Sequence, residues 1–219
     1  MDETGKRLVE GLLRRRDFDT LVEMCEKDRR NWQEIRFHLY DLDEQLRWAS
    51  IEAAAQLMKH WWKLGKEEKV RIYIRTLFWS ISDESGGIGW SSPQTIAEII
   101  VNIPELIGPY GSMMIAHCIE EPPLMKCCLW GIGRLGRQVT DSVYFFEDKV
   151  LETFHADDIE TLGLASWAMG ETGFRPAIPF LEELRLLTDI VVIYIKGDFL
   201  RKSLGEWAEE AVVKIEKMF

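Results

Sequence analysis

Apolar residues recur at three- and four-residue spacing along almost the whole chain, the period of helices that bury one face. The clearest case is Gln45–Lys63 (QLRWASIEAAAQLMKHWWK), where a run of alanines adds high helix propensity. Helix starts are marked by proline: Ser92-Pro93 reads as a cap followed by proline at the first helical position, and Pro104 and Pro122–Pro123 open further helices. Gly65, Gly136 and Gly173 each follow an apolar run, where a helix ends on a left-handed residue. The spacing predicts about ten to eleven helices, most of about 11–18 residues, joined by short loops.

The exception is Asp189–Ser203 (DIVVIYIKGDFLRKS). Val191 to Ile195 are β-branched or aromatic, and Gly197-Asp198 is a turn signal, so a small β-hairpin is expected over Ile190–Ser203. An isolated hairpin is marginal, so its apolar face is expected to pack on the end of the helical array. Ser203 then caps a last amphipathic helix carrying Trp207, Ala211, Val212 and Ile215.

A repeat organises the helices. Trp130-Gly131-Ile132-Gly133-Arg134-Leu135-Gly136 aligns without gaps on Trp167-Ala168-Met169-Gly170-Glu171-Thr172-Gly173, 37 residues further on. Weaker copies begin at Glu52 and Ile96. A period in the high thirties is that of stacked helix pairs. Gly133 and Gly170 fall inside helices, where glycine costs about 1 kcal/mol relative to alanine. Close approach of neighbouring helices is the compensation expected.

The W-[GA]-[IM]-G-x-x-G pattern, with Glu84–Pro93 (ESGGIGWSSP) and Leu129–Gly136, resembles the HEAT-like repeat of the phycobilin lyases. It is also similar to a small bacterial family of short HEAT-like proteins of unknown function. The resemblance implies an all-α fold: a right-handed α–α superhelix of about five helix pairs, with the hairpin before the last helix. A single domain is expected, with capping helices over residues 1–40, repeats over 41–188, and hairpin plus capping helix over 189–219. Such a fold says little about activity.

Composition narrows the partners. Hydrophobic residues make up 47% and charged residues 29%, and the net charge is −10 with a pI near 5.0. A chain this acidic is a poor ligand for nucleic acid, whose phosphates demand basic residues, and for anionic membrane surfaces. The first residues show no signal-peptide core and no window approaches the ~18 apolar residues of a membrane span, so a cytoplasmic protein is expected. Cys25, Cys118, Cys127 and Cys128 lie in helix-like apolar stretches and fit a reducing compartment. His117-Cys118 with Cys127-Cys128 is the one conceivable metal set, but adjacent residues diverge around a helix and no C-x-x-C occurs. Buried thiols are expected, with no metal and no cofactor.

Candidate recognition residues lie in two places. The segment Ser82–Ser92 (SDESGGIGWSS) is long for a connector and rich in glycine, and its Glu84, Gly86, Gly87 and Trp90 are read as contacts for a partner. It lacks a Walker lysine and carries Asp83 and Glu84, which argues against phosphate. The competing reading is a packed loop pinned by Trp90. Arg134 and Glu171 share one repeat position and are expected to meet across a seam, as part of a polar strip with Arg47, Gln56 and Arg137 on the concave face. A surface ion pair without function is the plainer reading. Of nine tryptophans most are expected in the core, with Trp62 and Trp90 the open cases.

His38, His60, His117 and His155 are scattered and no nucleophile sits in a recognisable elbow. The expectation is a non-catalytic scaffold binding a protein partner through its concave face and the 82–92 loop. The alternative is an enzyme on the same fold, for which the resemblance offers a bilin-type chromophore lyase or a HEAT-like DNA glycosylase.

Overall fold

A computed structural model describes residues 3–82 and 89–218. The N-terminal part holds α1 (Glu3–Arg15), α2 (Phe18–Lys27) and α3 (Arg29–His38), followed by α4 (Glu44–Lys63) and α5 (Glu67–Ser80). Next come α6 (Ser92–Asn102), α7 (Ile107–Cys118), α8 (Pro122–Leu135) and the short α9 (Thr140–Phe145) and α10 (Glu147–Glu152). The C-terminal part holds α11 (Ile159–Thr172), α12 (Ile178–Leu184), β1 (Ile190–Ile195), β2 (Asp198–Ser203) and α13 (Leu204–Glu216). Among the described residues the fold is therefore helical with one antiparallel two-stranded hairpin. Residues 140–155 break into shorter pieces than the helix lengths expected from the periodicity. No helix among the described residues is long and apolar enough to cross a membrane.

Local chemistry sets the boundaries. Asp17, Asp28, Asp43 and Asp158 accept backbone hydrogen bonds at the starts of α2, α3, α4 and α11. Ser203 and Glu206 form a reciprocal capping box on α13. The start of α6 differs from expectation by one residue: Ser91 is the cap position, makes no side-chain capping bond, and Ser92 is already helical. Pro104 opens a 3₁₀ turn that leads into α7 rather than the α-helix itself. Gly173 closes α11 in the left-handed conformation (φ 72°), and its N–H bonds the carbonyl of Met169.

Helices α4, α6, α8, α11 and α13 pack each against the next in chain order, forming an inner row. Helices α5, α7, α9–α10 and α12 connect them, and α1, α2 and α3 lie on α4. Small residues let the row close up. A methyl group on Gly133 would lie 2.6 Å from the ring of Trp167, and one on Gly170 would lie 2.7 Å from Cα of Ala211 in α13. Trp48, Trp61, Trp130, Trp167 and Trp207 are buried, Trp32, Trp62 and Trp90 are half-buried, and Trp79 is exposed.

The hairpin does not sit on the end of the row. Strand β1 lies along the inner helices, with Val191 against Gly163 of α11. Tyr194 stacks on Trp48 of α4 at 4.4 Å and 10° between planes. Trp130 Nε1 donates to the carbonyl of Tyr194 at 2.7 Å, and Trp207 Nε1 to that of Val191 at 3.3 Å. Arg16, at the α1–α2 corner, donates through Nη1 to the Tyr194 hydroxyl at 2.6 Å and pairs with the buried Glu52. The physical reason is area. The end of the row is already covered by α13, so Val191, Ile193 and Tyr194 find their largest apolar partner in the tryptophan-lined inner face. The turn is Lys196-Gly197, one residue earlier than the Gly197-Asp198 signal, with Ile195 opposite Asp198.

Candidate functional site

Strand β1 lines two clefts on the inner row. The first, about 180 Å³, lies at the amino-terminal ends of α4, α6, α8 and α11 and is walled by Arg47, Trp48, Trp90, Gln94, Trp130 and residues 192–194 of β1. The second, about 330 Å³, lies at the carboxyl-terminal ends of α8 and α11 and is lined by Gly133, Arg134, Arg137, Trp167, Glu171 and Lys196, among others.

In the first cleft the guanidinium of Arg47 rests over Trp90 at 4.8 Å and over Trp48 at 5.9 Å. Its Nη2 donates to Glu44 Oε1 at 3.0 Å, while its Nε is buried without an acceptor among the described residues. Gln94, 7% exposed, holds a buried amide oxygen without a donor among the described residues. Two unsatisfied polar atoms beside one aromatic cleft are costly, since each forgoes the hydrogen bonds it makes in water. Trp90 also meets Tyr40 edge-on at 6.1 Å, so the indole is held from two sides and half-buried. At the rim Lys126 pairs with Asp158 and Glu160 at 2.9 and 2.7 Å. Burial pushes the Cys127 thiol on the cleft wall up to about 12, which favours the protonated thiol over the thiolate near neutral pH.

The second cleft contains Arg134 and Glu171, but not paired to each other. Arg134 makes a two-pronged contact with Glu98 of α6, Nε to Oε2 at 2.6 Å and Nη2 to Oε1 at 3.0 Å. Glu171 accepts from Trp167 Nε1 at 3.1 Å and from Lys214 of α13 at 2.5 Å. The seam between them is occupied: the ring of Trp167 covers Gly133, so Arg134 turns back to α6 and Glu171 forward to α13. Of the polar strip expected from the sequence, Gln56 instead bonds Asn102 at 3.4 Å, Arg47 belongs to the first cleft and Arg137 to the second.

The candidate residues thus divide. Trp90 lines the first cleft, and Arg134 and Glu171 the second. Glu84, Gly86 and Gly87 lie outside the described residues. Sequence reading missed Gln94, Tyr194, Arg16 and Lys196. Only Lys196 left a local signal, a lysine before glycine in a tight turn. Between the clefts, burial raises the Glu52 carboxyl above its usual range despite Arg16. Burial also opposes the charge on Arg16, but the attraction of Glu52 and Tyr194 outweighs it and raises the Arg16 pKa. Among the described residues no group of three or more His, Cys, Asp or Glu could hold a metal.

No known protein-family model matches the chain. A protein of Archaeoglobus fulgidus described as uncharacterized is 28% identical over 172 residues, an overlap of 77% of this chain and 88% of that protein.

Proposed function

We propose that the chain is a non-catalytic scaffold of HEAT-like repeats that binds a protein partner in the cytoplasm. The inner row of helices, packed through small residues from α6 to α8, α11 and α13, supports a right-handed superhelix of about five helix pairs. With β1 lying on the inner face, recognition falls to the rim, at the first cleft and the 82–92 segment of the sequence that leads into it through Trp90.

One observation carries this reading. Arg47 and Gln94 keep buried polar atoms without hydrogen-bond partners among the described residues, in an aromatic cleft lined also by Trp90, the last large side chain of that segment. A cleft of about 180 Å³ is below the 300–1,000 Å³ usual for small-molecule pockets and suits one anchoring side chain of a partner. Four cysteines without a disulfide agree with a reducing compartment.

The test is quantitative capture on the tagged full chain from the native cell, comparing the parent with Trp90→Ala and with Trp79→Ala, an exposed tryptophan outside the cleft. The expected result is one stoichiometric partner retained by the parent and by Trp79→Ala and lost with Trp90→Ala, which stays folded with the parent's helicity although loss of its contacts with Tyr40 and Arg47 lowers its melting temperature by about a few degrees. Recovery of the same proteins by all three would refute the cleft as the recognition site.

A further inference from the structure

The second cleft carries a separate inference that does not depend on the partner reading. Its volume of about 330 Å³ falls in the range of small-ligand pockets, and its walls combine Trp167, Ile195 and Met218 with Arg134, Arg137 and Lys196. Arg134 and Lys214 are each neutralised, by Glu98 and Glu171. Arg137 and Lys196 have no ion pair among the described residues. The carboxyl ends of α8 and α11 bring about half a negative charge each. A surplus of about one positive charge therefore remains in a chain whose net charge is −10.

Lys196 is the second observation. The hairpin turn holds Lys196 at φ 50° and Gly197 at φ 104°, and a two-residue turn of this kind normally takes Asn, Asp or Gly at its first position. Among the described residues the non-glycine positions at positive φ are Arg16 and Lys196, and the Arg16 guanidinium reaches the hairpin tip beside Lys196's neighbour: a methyl group on Gly197 would lie 3.1 Å from it. Lys196 thus lines the cleft at a position that penalises its Cβ, a local cost of the kind that persists where the residue serves a site.

We infer that the second cleft binds a small organic anion, its carboxylate or phosphate held between Lys196 and Arg137 and its apolar body against Trp167, Ile195 and Met218. Arg134 and Glu171, fixed by Glu98 and Lys214, form the rigid floor.

Calorimetric titration of the full chain at ~0.15 M salt tests this with five probes. Phenylacetate and phenyl phosphate carry both features and separate carboxylate from phosphate; phenylacetamide lacks the charge; acetate and inorganic phosphate lack the body. At least one of the organic anions binds at sub-millimolar concentration, and the amide, acetate and inorganic phosphate do not compete. Lys196→Asn removes the charge while suiting the turn, so affinity falls about tenfold or more with the melting temperature equal or higher. Arg137→Gln has a similar effect on affinity. Absence of binding by both organic anions, equal binding by the amide or the bare ions, or affinity indifferent to both substitutions would each overturn the assignment.

Discussion

Gly170→Ala tests whether the inner row is held together by backbone contact. An added methyl would lie 2.7 Å from Cα and 2.9 Å from Cβ of Ala211, against the ~3.5–4.0 Å of an ordinary carbon contact. The obstructing atom is backbone of α13, so no side-chain rotation relieves it. Helices α11 and α13 must part by nearly 1 Å at this point, or the methyl group must be strained. Two terms oppose each other. Alanine in a helix interior gains about 1 kcal/mol over glycine, while overpacking against backbone costs about 2–3 kcal/mol. The expected net loss is about 1–2 kcal/mol, which for a chain of this size lowers the melting temperature by about 2–8 °C. Gly108→Ala in α7 is the control, because no atom lies within 4 Å of its added methyl. There propensity acts alone, and stability should rise by up to about 1 kcal/mol. Thermal unfolding followed by circular dichroism reads both. A Gly170→Ala protein as stable as the parent, with Gly108→Ala behaving as expected, would refute close packing of α11 on α13.

Three further outcomes follow from single contacts. Tyr194→Phe keeps the stack on Trp48 but loses the bond from Arg16, and should cost about 1–2 kcal/mol in denaturant unfolding. Burial tends to raise the Asp158 pKa, but hydrogen bonds from Thr161 and Lys126 prevail and hold it below its ordinary 3.8. The stability this carboxylate contributes, about 1 kcal/mol as a helix cap, is therefore complete above about pH 5 and lost as pH falls through the depressed value; the deficit of Asp158→Ala should shrink along the same course. Burial raises the Cys25, Cys118 and Cys127 thiols to about 12, so iodoacetamide at pH 8 should label the folded chain very slowly, partly exposed Cys127 first, and rapidly once unfolded.

What the sequence displayed was local, and what it concealed was contact across the chain. The helix caps at Asp158 and Ser203, the terminating Gly173 and the hairpin itself depend on neighbouring residues, and each is readable from them. The glycine register also survives, because Gly133 and Gly170 cost helix stability unless something packs there. The resting place of the hairpin was not legible, since it depends on Trp48, Trp130 and Arg16, up to 178 positions from Tyr194. The partner of Arg134 was misread for a related reason: the repeat register put Arg134 and Glu171 on neighbouring helices, but the bulk of Trp167 decided which neighbour each could reach. Trp90 was readable from the sequence either as a partner contact or as the pin of its loop, whereas its setting under the Arg47 guanidinium in the cleft that Gln94 also lines required α4 to be brought against α6.

The position of the hairpin on the inner face determines both clefts, and hydrogen exchange on the full chain measures it directly. If β1 is packed against α11 and α4 and held by Tyr194, amides of residues 190–203 that lie in the ladder should exchange as slowly as those of α8 and α11. A hairpin free of the inner helices would be marginal by itself, and its amides would exchange within the first seconds while the helices stayed protected. That result would remove the shared wall of both clefts.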